Sequence, residues 1–422
     1  MSAPSTTRPA APPGRIMATP LSSATVAWYR ARGDRWLREH AAVTWERPSR
    51  GLQIFGIGVA VRAAGPRGEG FAAARDAVTD LLRRLDVDAS AVRPLIFAGA
   101  SFDPGAPRRD PAWEVFGGWQ VLLPAITIIR EGERWSGVAC AGDFPAPEDE
   151  SAAPGDTAPH DSLANAIAEA VREIREGRYE KVVLAGSRLV PLDGVTVPDV
   201  LARLVAAFPT CCVFSFRAGG STWLGASPEP LAAAAAGRVE LVSLAGSRRR
   251  GASPDLDRQL EAELLGSSKE RWEHRLVVEA ILREAGELVG GLQFPSEPSV
   301  MKLANIQHLY TPISGRLEPG ASLLDVVERL HPTPAVGGWP RPAALDAIRR
   351  LEQMDRGWYA GPIGWADPAG DGEFVVGLRT ALLGGAAARL YAGAGIVADS
   401  TPAAELDEIE SKLDALRGVI TR

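Results

Sequence analysis

RLYAGAGIVADSTPAAELDEIESK, Arg389 to Lys412, is the stretch on which the reading of this chain turns. Leu390 and Tyr391 lead into a glycine-rich turn at Gly393-Ala394-Gly395. Asp399-Ser400-Thr401-Pro402 then reads as a helix start, a hydroxyl or carboxylate N-cap with proline at the first helical position, where its missing N–H costs nothing. In that helix Glu405, Glu408 and Lys412 fall at i, i+3 and i+7 and share one face. Bare backbone amides, two carboxylates and a lysine suit an anion held beside a metal ion. Two plainer readings compete. GAGIVA fits the dinucleotide pattern G-x-G-x-x-A, but that motif needs a βαβ unit continuing past the helix, and the residues up to Arg422 leave no room for it. Glutamates at i, i+3 are also the common dress of a solvated helix face, and only the rest of the chain decides that point.

Outward from this stretch, strands and helices mix without regular βα alternation, the pattern of an α+β protein. Helices are expected at Ala24 to His40 (weakened by Gly33), Phe71 to Leu85, Ser162 to Arg175, Val197 to Phe208, Pro254 to Leu265 and Lys269 to Leu288. Strands are expected at Lys181 to Leu192, Pro230 to Ala235, Val239 to Leu244, Ser299 to Leu317, Gly361 to Ala366, Gly372 to Leu383 and Ala387 to Ala392, among others. Residues 1 to 15 read as a disordered, Pro/Ala/Ser-rich lead without the apolar core of a signal peptide. Pro145 to Pro159 reads as an acidic linker between a part spanning 16–150 and a part spanning 160–422. No internal repeat of fixed period is visible.

Composition narrows the partners. With 422 residues, 46% of them hydrophobic, the chain can bury a large core. A net charge of −6 argues against nucleic acid or an anionic membrane. No apolar run approaches a transmembrane length, and three cysteines without C-x-x-C fit a reducing, cytoplasmic setting. There is no G-x-x-x-x-G-K-[ST], H-E-x-x-H or G-x-S-x-G, so nucleotide-phosphate, zinc-protease and serine-hydrolase chemistry drop away.

What remains is a set of charged residues in apolar places. Glu270 and Glu273, in KERWEHRLVVEAI, repeat the i, i+3 spacing of Glu405 and Glu408; four hard oxygen donors suit Mg²⁺. Lys181 opens the apolar strand KVVLAG, either as an edge residue or as a lysine that a closed pocket turns into a base. Glu229, in GASPEP, is a solvent-facing turn residue or, if buried, a general acid. Ser243 to Gly251 ends a strand in a Gly/Ser turn with three arginines, whose amides at Gly246 and Ser247 can face an anion. His308 alternates with apolar neighbours. Arg379 stands inside the apolar run VVGLRTALL, where a charge is costly unless paired, and a bound carboxylate pairs it bidentately.

These segments, in this order, resemble the chorismate-utilising enzymes, the family of isochorismate, salicylate, anthranilate and aminodeoxychorismate synthases. The runs that carry the resemblance include EKVVLAG, LGASPEPL, LVSLAGSRRRG, SSKERWEHRLVVEAI, ANIQHLYTPISG, LHPTPAVGGWP and GDGEFVVGLRTALL, together with the opening stretch, over roughly Ser162 to Arg422. The resemblance implies one large fold like the anthranilate synthase large subunit, with mostly antiparallel sheets packed as a β-sandwich and helices outside. It implies that Glu273 and Glu408, with Glu270 and Glu405 beside them, hold Mg²⁺ and through it the ring carboxylate of chorismate, with Lys412 nearby. Arg379, Tyr359 and the amides around Gly395 would hold the enolpyruvyl carboxylate, with Gly246, Ser247 and His308 along the ring. Lys181 stands where ammonia-using members have glutamine, and Ala245 where others carry a nucleophilic lysine, so water is the implied nucleophile. The expected reaction is chorismate to isochorismate in a menaquinone or siderophore pathway, by a monomer with Lys181 as base and Glu229 as acid. The rivals are salicylate formation, which adds pyruvate elimination, and a silent chorismate-binding scaffold. Two departures stand out: Gly186 follows Ala185 where an arginine is usual, with Arg188 two further on, and Pro230 follows Glu229.

Overall fold

The computed structural model describes residues 15–87, 92–107, 110–141, 160–302 and 306–421; the expected lead, except Arg15, and the expected linker lie outside them. Two almost wholly antiparallel sheets, of twelve and ten strands, share one continuous apolar core, and helices pack on the sheets. Each sheet takes strands from both sides of the linker, so the chain forms the single α+β body that the sequence implies.

Most expected elements form where the apolar period places them. The Ala24 to His40 helix is two helices, Ser23–Arg30 and Gly33–His40, because Gly33 adopts φ +74°, which a residue with a side chain rarely takes. Three differences shape the site. First, Gly393-Ala394-Gly395 is not a turn. The strand Ala387–Ile396 runs through it and pairs with Lys181–Pro191, Gly393 opposite Ala185 and Gly395 opposite Val183. The glycines serve close approach: a Cβ on Gly393 would lie 3.2 Å from the Tyr359 hydroxyl, and one on Gly395 would lie 3.0 Å from Lys181 Cε. Second, the strand Arg238–Arg249 does not end at Leu244. It continues past a bulge at Gly246, whose φ of +77° shifts the register against the Ile306–Leu317 strand.

Third, the strand expected over Gly372 to Leu383 is two strands in different sheets, Gly372–Val376 in the smaller and Thr380–Gly384 in the larger. Both halves are buried, so an apolar run alone does not reveal the break. Beside it a second chain segment crosses the other way, from Ser221–Ser227 to Pro230–Ala235. The crossing segments bond to each other, Val376 N–H to the Glu229 carbonyl at 3.1 Å and Ala226 N–H to the Arg379 carbonyl at 3.2 Å. The N-terminal half repeats the device. Leu52–Ile57 crosses to Val61–Gly65 beside Trp119–Leu123 crossing to Ile126–Glu131, with Ala60 N–H on the Leu123 carbonyl at 2.8 Å and Ala125 N–H on the Gly58 carbonyl at 3.4 Å.

Candidate active site

Where paired strands part to join different sheets, the regular ladder stops and side chains fill the gap. At the C-terminal crossover those side chains are Glu229 and Arg379. Glu229 is 9% exposed. Ser227 Oγ accepts from its N–H at 3.2 Å and fixes the turn. Its carboxyl Oε1 accepts from the Thr333 hydroxyl at 3.5 Å. Burial pushes this carboxyl up to about 7, against the opposing pull of the Lys181 charge and of the Thr333 hydroxyl. A carboxyl poised there can give a proton near neutral pH.

Arg379 holds a left-handed backbone, φ +51°, at the turn between sheets. Its guanidinium donates to Cys211 Sγ at 3.4 Å and lies 5.0 Å above the Phe208 ring. Burial lowers its basicity, and no described carboxylate lies within ion-pairing distance. A half-buried cation whose partners among the described residues are a thiol and a ring is set to receive an anion.

Lys181, 6% exposed, opens its strand with Nζ 3.5 Å from Glu273 Oε2 and with Gly395 against its stem. Tyr359 is buried, stacked on Tyr391 at 5.3 Å between ring centres, with its hydroxyl at Gly393. Burial drives that phenol well above its ordinary range. His308 Nδ1 and Ser247 Oγ lie 2.7 Å apart. Burial first, then the charges of Arg379 and Lys412, push His308 down to about 3, so its imidazole is neutral. The same field puts His308, Arg379 and Lys412 in one place. Lys412 Nζ donates to the Gly393 carbonyl at 2.8 Å and to Glu408 at 2.7 Å. The bulge at Gly246 turns Ser247 N–H onto Glu270 Oε2 at 2.9 Å, and a Cβ on Gly246 would meet the Glu270 carbonyl at 3.0 Å. Lys181, Glu229, Gly246, Ser247, His308, Tyr359, Arg379, Gly395 and Lys412, far apart in the chain, are thus linked by contacts or by each other's fields.

The four glutamates stand as two pairs at the starts of two helices, Ser268–Ala285 and Pro402–Ile420. Among the described residues no three ligating groups close into a ready cage. The donor set nevertheless fits a hard divalent cation. Glu270 and Glu405 are both driven toward the neutral form, first by burial and then in part by Glu273 and Glu408 on their own helices. The charge of Lys269 acts on both Glu270 and Glu405, so the two helix starts face one another. Crowded, half-buried carboxylates of this kind are the environment a divalent ion relieves.

Sequence reading missed several supporting residues. Ser400 Oγ donates to Glu405 at 2.7 Å and accepts from Val397 N–H at 3.1 Å. Thr333, inside the run LHPTPAVGGWP, and Cys211 hold Glu229 and Arg379 from far along the chain, and neither residue by its type signals that contact. His274, which the sequence does place beside the Glu270–Glu273 pair as a helix-surface or supporting histidine, is buried and ties its helix to the neighbouring strands, with the Ala245 carbonyl at 3.1 Å and Thr311 Oγ1 at 2.7 Å. Arg188 pairs outward with Glu410 and Asp414, so its displacement from the usual position leaves the site untouched.

Geometry and comparison agree on the class. The chain belongs to the chorismate-binding enzymes, whose family model matches residues 24–142 and 140–421. It is 37% identical over 415 residues to the salicylate biosynthesis isochorismate synthase of Pseudomonas aeruginosa, covering 91% of this chain and 86% of that protein. To the isochorismate synthase MenF of Bacillus subtilis it is 40% identical over 349 residues, 77% of this chain and 74% of that protein. Its fold matches the solved menaquinone-specific isochorismate synthase of Escherichia coli with a TM-score of 0.78 at 24% identity, over 96% of this chain and 94% of that one. No helix among the described residues is long and apolar enough to cross a membrane.

Proposed function

We propose that the chain is an isochorismate synthase, which adds water at C2 of chorismate and expels the C4 hydroxyl while the two ring double bonds shift. The observation that carries this reading is the pairing, in one buried site, of a lysine, a carboxyl held near neutral pH and an arginine with no carboxylate partner among the described residues. Lys181 acts as the base that takes a proton from the attacking water. Glu229 gives its proton to the departing C4 oxygen, so one water enters and one leaves. Arg379 receives the enolpyruvyl carboxylate, with Tyr359 and the Gly395 backbone beside it. Ser247 and His308 line the ring, and a neutral His308 can donate or accept without adding charge. Glu273 and Glu408, with Glu270 and Glu405, would hold Mg²⁺, which supplies electrostatic stabilisation of charge gathering on the ring carboxylate. One chain carries every one of these groups, so a monomer suffices, and buried cysteines at 140, 211 and 212 suit a cytoplasmic enzyme.

The test is turnover of chorismate by the wild type and by Lys181→Ala, with substrate binding followed separately. The variant is expected to bind chorismate and Mg²⁺ but to lose roughly 10² to 10⁴-fold in kcat. A Lys181→Ala enzyme of near wild-type rate removes the base from this scheme.

A further inference from the structure

We propose that Thr333 is a positioning residue for the general acid: its hydroxyl fixes Glu229 Oε1 and leaves Oε2 as the oxygen that carries the transferable proton. The proposal rests on the reading of Glu229 as the acid. Thr333 lies 6% exposed in the loop between the helix Leu323–Leu330 and the short strand Gly338–Trp339. Its hydroxyl, at 3.5 Å, is the one side-chain partner of the Glu229 carboxyl among the described residues. The loop is anchored around it. The Thr333 carbonyl accepts from Val336 N–H at 3.1 Å and from Gly337 N–H at 2.9 Å. Arg356 Nη1 donates to the Val336 carbonyl at 3.0 Å, and His331 Nε2 lies 3.0 Å from the Phe102 carbonyl.

The same loop also sets the base. Val183 N–H donates to the Gly337 carbonyl at 3.0 Å, and Trp339 stands opposite Lys181 in the sheet. One short segment therefore fixes the strand that carries Lys181 and the carboxyl that opposes it. Two titratable groups share a field with Glu229: Lys181 on its strand, which favours the carboxylate, and Tyr359, whose phenol the Glu229 charge helps to raise. The Thr333 hydroxyl, like Lys181, favours the carboxylate, while burial opposes it. Removing the hydroxyl therefore moves the ionisation of Glu229 upward.

Thr333→Val, nearly isosteric, and Thr333→Ser are compared with wild type and Glu229→Gln in kcat and kcat/KM across pH, after thermal melts show each variant folded. Thr333→Val is expected to lose about tenfold in kcat with little change in KM. Its alkaline limb is expected to move up by about half to one pH unit, the size of one hydrogen bond. Thr333→Ser is expected to restore both. An unchanged limb and rate in Thr333→Val, or a loss that Thr333→Ser does not rescue, overturns the positioning role. An active Glu229→Gln enzyme instead overturns the acid assignment beneath it, so the two failures are told apart.

Discussion

Two crossovers between sheets, one in each half of the molecule, are built alike and filled differently. In the N-terminal one, Gly58, Val59 and Ala60 run beside Pro124 and Ala125, and nothing there can ionise. In the C-terminal one, Pro228 and Glu229 run beside Gly377, Leu378 and Arg379. Two backbone bonds bridge each gap, with donors and acceptors exchanged between them, so the fold supplies an opening twice, and on the proposed reading the side chains set which one does chemistry. That contrast separates scaffold from site, and each half of it can be broken.

The largest effect is expected from Glu229→Gln, which keeps shape and removes the proton: kcat should fall by roughly 10² to 10⁴-fold. Val59→Ala, in the other crossover, should cost about 1 kcal/mol of stability and leave kcat intact. Steady-state kinetics with thermal melts checks both, and a Val59→Ala enzyme as impaired as Glu229→Gln breaks the contrast. Next comes Cys211→Asp. The thiol is a weak acceptor that leaves the Arg379 charge unspent, whereas a carboxylate would take it. KM for chorismate should rise roughly ten- to hundred-fold with kcat retained. A smaller effect belongs to Ser400→Ala, which frees Glu405; the Mg²⁺ concentration needed for half-maximal activity should rise about tenfold.

The smallest effect lies in stability. Glu229 is held at about 7 in the fold against an ordinary 4.5, chiefly by burial. The stabilisation from its protonated form is therefore complete below pH 4.5 and is lost as pH rises through about 7. Glu229→Gln has no such loss. Its melting temperature relative to wild type should be higher at pH 8 than at pH 5, by roughly a few degrees. Parallel melting curves at the two pH values contradict the burial of that carboxyl.

Much of this was legible in the sequence. The lysine strand, the carboxylate helices and the α+β class follow from apolar period, helix-start chemistry and charges set in apolar runs. Three things were not legible. The run around Arg379 is apolar but for Thr380, so it conceals that the chain changes sheets there; the arginine reads as a charge inside a strand when it is a turn residue. The glycines at 393, 395 and 246 read as turns, because sequence does not distinguish a glycine needed for φ from one needed for close approach; only Gly246 has a positive φ. Partners such as Thr333 and Cys211 act across the fold at single contacts, which leave no periodic trace. The doubling of the crossover left no repeat of fixed period either, since the two copies share sheet topology and not residues.

Water addition at C2 is read most directly by incubating the purified protein with chorismate and Mg²⁺ in ¹⁸O-labelled water and identifying the product. Isochorismate carrying the label at its C2 hydroxyl is expected, with none when EDTA is present and restoration by added Mg²⁺. Salicylate with pyruvate, an unlabelled product, or no consumption of chorismate would contradict it.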